Sequence, residues 1–494
     1  MATAADLQET LAAIDSAPRG RRTAAFFDVD DTLMFGDLIG ATATRSRRRI
    51  GLPHVGIPRI GPLRRSDAGD SKSDDAEDAI VGLVDAWQGQ EESELAAAAD
   101  RAFERKVADL VYPEARELIA AHRRKGHTVV LTASAVRHQV QPLADALGVD
   151  GIISSEPEVV NGLLTGKLMG PACIGPAKAD AVEEYAATHG VELARSHAYA
   201  SGDDAEALLL LVGTPHPTNP GRTLADVADR EGWSALRFDS RGRPSAETLA
   251  RSLAGYGVMV PSMLGGVAVG LLNRDRQQIV QYGANGWVDR LFAITGVSLK
   301  VEGEENLWSS RPAVFIYNHR NNFDPYVAIK LVRRDWGSVA KKEIVGPLLG
   351  PMQWLTPNVA YLDRADPTKA VQGLGPVTDL LRNGVSVLVA PEGTRSTTGQ
   401  LGSFKKGPFR MAMEANVPLV PIVIFNADRV AAREAGVIRK GTIDVLVLPP
   451  VAVSDWIPED LDEHIAEVRQ LFADALDAGP DRPPARSGAR GKPS

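Results

Sequence analysis

An α/β fold in both halves of the chain is predicted by three observations. Short apolar runs recur along the sequence: "AAFFD" (24–28), "TVVLT" (128–132), "AVFIY" (313–317), "VSVLVA" (385–390), "LVPIVI" (419–424) and "IDVLVL" (443–448). Stretches of helical pattern separate them, and continuous apolar runs of this length read as strands buried on both faces of a parallel sheet. The 494 residues are also enough for two or three domains with separate cores.

Charge and cysteine usage narrow the class. Lys and Arg total 55 against 63 Asp and Glu, a net charge of −8, whereas a dedicated nucleic-acid binder would be basic. The single cysteine, Cys173, rules out a disulfide framework and suits a reducing compartment. The first residues, "MATAADLQETLAAIDSAPRGRR", lack the apolar core of an export signal.

The first apolar run ends in "FFDVDDTL", with Asp28, Asp30 and Thr32 at the carboxyl edge of the strand, where open α/β sheets bind ligands. Two aspartates so spaced can divide phosphate transfer, one attacking phosphorus and the other moving the proton of the leaving oxygen. Magnesium would offset the repulsion between carboxylates and phosphate. These residues resemble the first motif of haloacid-dehalogenase-like phosphatases, in particular the phosphoserine phosphatase branch. The likeness runs from about Arg22 to Phe238, within an expected domain at 20–238, and implies a Rossmann-like doubly wound sheet. It also implies Asp28 as nucleophile, Asp30 as acid/base, Thr132 of "VVLTAS" on the phosphate and Lys178, at the end of "EPEVVNGLLTGKLMGPACIGPAK", as the phosphate-binding lysine.

The fourth motif departs from that pattern. "AYASGDDAEALLLLVG" places Ser201 and Ala205, or Ala207 in the other register, where acidic residues are expected. Asp203, Asp204 and Glu206 are the neighbouring carboxylates, and the expected magnesium ligands are Asp28, Asp30 and Asp203. A working phosphatase and a weakened one kept as a docking or regulatory module both stay open. Residues 35–110 correspond to the branch's helical cap. Their early part carries Arg45, Arg47, Arg48, Arg49, Arg59, Arg64 and Arg65 without an acidic residue from Leu38 to Ser66. A solvated insertion and a patch drawn to anionic lipid headgroups are the two readings of that segment.

A linker and an apolar segment fill 239–275. "FDSRGRPSAET" (238–248) is polar and turn-rich, and "LAGYGVMVPSMLGGVAVGLL" (253–272) carries no charge. Its length meets the roughly 20 residues a span needs. Six glycine or proline positions dilute it, so a segment lying in the bilayer surface or packed on protein is the favoured reading over a true span. The expected location is the cytoplasmic side of a membrane, peripheral or held by a single segment.

After residue 300, "NHRNNFD" follows a strand and contains His319 and Asp324. "VAYLDR" ends in Arg364, "VLVAPEGTRS" carries Glu392, Gly393, Thr394 and Arg395, and "VPLVPIVI" frames a strand with prolines. Acyl transfer to a hydroxyl needs a base with histidine's proton affinity, and a carboxylate on the other ring nitrogen would orient it. Five residues do not align two side chains on one helix face, so the loop must turn back. A glycine-containing turn with guanidinium suits a phosphate.

Together these four blocks resemble the glycerolipid acyltransferases, in particular the 1-acylglycerol-3-phosphate acyltransferases, over roughly Arg276 to Val453 of an expected domain at 276–477. The resemblance implies an α/β acyltransferase domain with His319 as general base and Asp324 as its orienting partner. Arg364 and Arg395 would bind the acceptor phosphate, and Glu392, Gly393 and Thr394 would complete the pocket. It further implies lysophosphatidic acid as acceptor, acyl-CoA or acyl carrier protein as donor, and no metal for acyl transfer. Another lysophospholipid or a phosphoglycolipid is the alternative acceptor. The Pro/Gly/Ser-rich 478–494 reads as a disordered tail.

Overall fold

The computed structural model describes residues 7–42, 72–341, 359–362, 375–396, 399–433 and 436–480. The Arg-rich segment 45–65, Arg364 and the tail beyond residue 480 lie outside the described residues. The chain forms two compact units, the first running to Gly242 and the second beginning at Arg243.

The first unit is built on a five-stranded sheet. Its strands are β1 (Ala24–Asp28), β2 (Thr128–Val136), β3 (Gly151–Ser155), β6 (His197–Ala200) and β7 (Thr214–Pro217). Their order is β3-β2-β1-β6-β7, all parallel. Strand order reverses at β1, so ligands are expected at the carboxyl end of that strand. Every residue of β1 is buried, as expected for a strand covered on both faces. One face packs Phe27, Leu131 and Tyr199 beneath the helix Pro113–Arg124, and the other packs Phe26, Val130 and Val182. A hairpin of β4 (Pro157–Val160) and β5 (Leu163–Leu168) joins the helices Lys72–Asp85 and Glu92–Ala102 around Trp87, Leu95 and Leu164. These elements include the described part of the expected cap.

The second unit carries seven strands in the order β11-β10-β12-β9-β13-β14-β8. They are β8 (Val297–Glu302), β9 (Val314–Tyr317), β10 (Trp336–Lys341), β11 (Val359–Leu362), β12 (Ser386–Val389), β13 (Leu419–Ile424) and β14 (Gly441–Val447). All neighbours are parallel except β13 and β14. The central strands β9, β12 and β13 are buried throughout and end together, bringing the loops after β9 and β12 side by side.

The apolar segment forms the helices Ala246–Gly257 and Met259–Leu272, nearly continuous through Val258. Pro261 has no N–H for the Gly257 carbonyl, which accounts for the break. A short turn leads into Arg276–Thr295, against which Met259–Leu272 packs through glycine: a Cβ on Gly266 would stand 2.5 Å from the Gly283 backbone.

Candidate active sites

In the second unit the site grows from the end of β9. Asn318 continues the strand pairing with its side chain: Nδ2 donates to the Ile424 carbonyl at 2.8 Å and Oδ1 accepts from Ile424 N–H at 2.7 Å. Asn321 folds the loop back, its Oδ1 accepting from the N–H groups of Phe323 (2.8 Å) and Asp324 (3.1 Å) while Nδ2 donates to Ala431 O (2.9 Å). Asp324 thereby opens the helix Asp324–Val332, with Pro325 in its first turn, where proline's missing N–H costs nothing.

Asp324 is 1% exposed, and its Oδ2 accepts from His319 Nδ1 at 3.1 Å and from the backbone N–H groups of Arg320 (2.6 Å) and Asn321 (2.8 Å). The buried carboxylate selects the Nδ1–H tautomer of His319 and leaves Nε2 as a basic lone pair. Nε2 has no hydrogen-bond partner among the described residues. The five-residue gap is thus bridged by the Asn321 turn.

The loop after β12 holds His319 from the other side. Glu392 Oε1 accepts from His319 N–H at 2.8 Å, and Ser396 N–H donates to His319 O at 2.9 Å. Glu392 Oε2 accepts from Gly402 N–H, also at 2.8 Å. Burial raises the Glu392 pKa, while the two backbone donors and the His319 ring favour its charged form. Glu392 is 5% exposed, with each carboxylate oxygen on a backbone donor, and through Oε1 it holds the His319 backbone. Gly393 sits at φ +75°, a left-handed turn conformation that glycine adopts without strain, and Thr394 is exposed beside it. Arg395 lies half-buried over the same loop, its Nη1 donating to Asn322 Oδ1 and Arg433 O, both at 2.8 Å. Asn318, Asn321 and Ser396 were not among the expected site residues. The signal was two amides flanking the histidine, whose use depends on β13 and Ala431.

In the first unit Asp28, Thr132 and Lys178 converge at the carboxyl edge of β1. Lys178 Nζ donates to Asp28 Oδ1 at 2.8 Å and Thr132 Oγ1 donates to the same oxygen at 3.3 Å, so Oδ2 stays open among the described residues. Burial raises the Asp28 pKa, Lys178 opposes that rise and Asp204 adds to it. Burial disfavours the Lys178 ammonium, yet Asp28 and then Asp204 hold its pKa above the usual range. Asp30 is pushed up to about 7 by burial and then by Asp28, against the Leu38 N–H that donates to its Oδ1 at 2.8 Å.

The expected ligand Asp203 lies instead against Gly221, and Glu206 is taken by Arg230 at 2.7 Å. Asp204 is the carboxylate that approaches, 3.9 Å from Lys178 Nζ. Ser201 Oγ donates to the Asp30 carbonyl at 2.7 Å. One short 3-10 turn, Asp203–Ala205, decides which of two adjacent aspartates faces inward. The Asp28 and Asp204 carboxylates, both turned to Lys178, are hard-oxygen donors of the kind magnesium takes.

Residues 25–206 match the haloacid dehalogenase-like hydrolase family and residues 298–425 match the acyltransferase family. The 1-acyl-sn-glycerol-3-phosphate acyltransferase of Salmonella typhimurium is 30% identical over 205 residues, covering 41% of this chain and 82% of that protein. The enzyme of the same name from Cocos nucifera is 30% identical over 38% of this chain, which spans 60% of its length. Among solved structures, the 1-acyl-sn-glycerophosphate acyltransferase PlsC from Thermotoga maritima has 26% identity and a TM-score of 0.40, covering 47% of this chain and 97% of its own. A phosphoserine phosphatase has 18% identity and a TM-score of 0.32, covering 44% of this chain and 93% of its own. With a haloacid dehalogenase-like hydrolase domain ahead of its acyltransferase domain, the chain belongs to the 1-acyl-sn-glycerol-3-phosphate acyltransferase family.

Proposed function

We propose that the second unit transfers an acyl group from a thioester, on coenzyme A or acyl carrier protein, to the sn-2 hydroxyl of lysophosphatidic acid, giving phosphatidic acid. The observation that carries this is the His319–Asp324 pair, with Nδ1 on a buried carboxylate, Nε2 open among the described residues and the His319 backbone held at both its N–H and C=O. The hydroxyl oxygen attacks the thioester carbonyl as Nε2 takes its proton, and Asp324 stabilises the imidazolium. Collapse of the tetrahedral adduct breaks the C–S bond, and the imidazolium returns the proton to the thiolate. Arg395, with Gly393 and Thr394 on the adjoining turn and Arg364, receives the acceptor's phosphate. Phosphatidic acid formed from lysophosphatidic acid and acyl-CoA by the wild type and not by His319→Ala, followed by mass spectrometry, is the expected result. Its absence in the wild type overturns this assignment of acceptor and donor.

The first unit supports a second activity, phosphate-monoester hydrolysis. Asp28 Oδ2 attacks phosphorus while protonated Asp30 gives its proton to the leaving oxygen, and Asp30 then takes a proton from the water that cleaves the aspartyl phosphate. Lys178 and Thr132 hold phosphate oxygens. Asp28, Asp204 and the Asp30 carbonyl would hold magnesium, whose chemistry is to neutralise phosphate charge. Asp28→Asn should abolish phosphate release and leave acylation intact. Phosphate release equal in variant and wild type counts against the nucleophile assignment.

The apolar helices suit the surface of a bilayer, on its cytoplasmic side. Leu249, Leu253, Val260, Leu264 and Leu271 are all exposed, Leu253 to 73%. At about 100° per residue these five fall within an arc of roughly 60°, with Leu272, 83% exposed at the helix end, outside it. Only 22% of the most apolar stretch of Ala246–Leu272 is buried, unlike a core helix. Its glycine face is already occupied by Arg276–Thr295, which favours a helix lying on lipid over an isolated span.

A further inference from the structure

Four of the nine histidines, His122, His127, His197 and His216, meet in one buried cluster of the first unit. His122 ends the helix Pro113–Arg124, His127 stands just before β2, His197 opens β6 and His216 lies in β7. His197 pairs with Ala25 of β1, three residues before Asp28, so the cluster sits roughly 10 Å from the phosphatase carboxylates, toward the amino edge of the sheet. Neither proposed reaction uses it.

We propose that His122, His127 and His197 form a site for a divalent transition ion of the zinc type, structural in role. One nitrogen from each ring lies within 4.8 Å of both others, and the three residues are no more than 7% exposed. With metal–nitrogen bonds of about 2.0–2.1 Å, tetrahedral ligands stand about 3.3 Å apart. The Nδ1 atoms of His122 and His127, at 2.9 Å, need only separate by a few tenths of an ångström.

The second observation is the outer partners. A ligating imidazole ordinarily has its other nitrogen fixed by a hydrogen bond, and here all three have one. His127 Nε2 donates to Pro18 O at 2.8 Å, His122 Nε2 lies 2.9 Å from Tyr199 Oη, and His197 Nδ1 lies 3.1 Å from His216 Nε2. The Pro18 carbonyl can only accept, so His127 carries its proton on Nε2 and presents a lone pair at Nδ1. Metal binding then requires that His122 move its proton from Nδ1 to Nε2, where Tyr199 Oη accepts it, that His197 keep its proton on Nδ1 toward His216, and that the His197 ring close from within 4.8 Å toward the ligand spacing. No proton leaves the site. All-imidazole donors select zinc, copper or nickel over magnesium, which separates this site from the oxygen set at Asp28.

The test loads full-length protein with zinc, passes it through a desalting column and measures retained metal, with cobalt as a spectroscopic substitute. About one zinc per chain is expected in the wild type and in Asp28→Asn and His319→Ala, and none in the His122→Asn/His127→Asn double variant. Chelation should lower the melting temperature of the wild type. If the double variant does not fold, the wild-type cobalt spectrum decides, with intense visible bands of a low-coordinate site bound through the His122, His127 and His197 imidazoles expected. No retained ion in the wild type, or a weak six-coordinate spectrum, overturns the proposal and leaves a hydrogen-bonded histidine chain. Equal retention in a folded double variant does the same.

Discussion

Glu392→Gln separates positioning from substrate binding in the second unit. Each Glu392 oxygen accepts one backbone N–H at 2.8 Å, from His319 and from Gly402. Glutamine offers one acceptor oxygen and an NH2, so one of those N–H groups must face a donor. A buried donor left without a partner costs about 1–3 kcal/mol. If the amide keeps Gly402, the His319 backbone itself is held only at its carbonyl, by the Ser396 N–H. The productive orientation of the ring then falls in population by roughly 5- to 150-fold, expressed in kcat. The assay is thiol release from acyl-CoA at varied lysophosphatidic acid, with melting curves confirming that the variant folds. KM for the acceptor should stay within about twofold, because only His319 positioning is disturbed. An unchanged kcat with an altered KM would refute this reasoning and return Glu392 to the phosphate pocket.

Three further outcomes follow from charge and exposure. Asp30, pushed up to about 7, must carry a proton to act as acid, so kcat for an aryl phosphate should fall as pH rises through about 7; a flat profile from pH 6 to 8.5 counts against that role. His197 titrates near 4 when folded and near 6.5 when unfolded, so the unfolded chain binds more protons between those values. Stability of the metal-free first unit should therefore fall by about 1.4 kcal/mol per pH unit from this group alone as pH drops from 6.5 toward 4. Neighbouring His122, His127 and His216 act in the same direction while Lys125 disfavours charge on His127, and urea midpoints that do not move between pH 7 and 5 would contradict this. Leu253→Glu with Leu264→Glu should reduce flotation with anionic lipid vesicles at least tenfold without changing the melting temperature, since both side chains face outward; unchanged flotation would move the lipid contact elsewhere.

Much of this protein is legible in its sequence because the signals are local. Continuous apolar runs announce central strands, and all six quoted runs fall on strands β1, β2, β9, β12, β13 and β14. A His and an Asp after one strand and a Glu-Gly-Thr-Arg turn after another name the chemistry before any geometry is known. Family resemblance supplied the order of the blocks.

Other decisions belong to the tertiary structure. Asp203 and Asp204 are adjacent and chemically identical, and only the 3-10 turn that carries them sends Asp204 toward Lys178. Glu392 reaches the His319 backbone only because β9 and β12 align side by side. The four histidines are scattered from residue 122 to residue 216, with no spacing that announces a site. They meet because parallel pairing brings the starts of β2 and β6 and the middle of β7 together beneath the last turn of one helix. Side-chain identity sets which reactions are available, and long-range strand pairing sets which side chains meet.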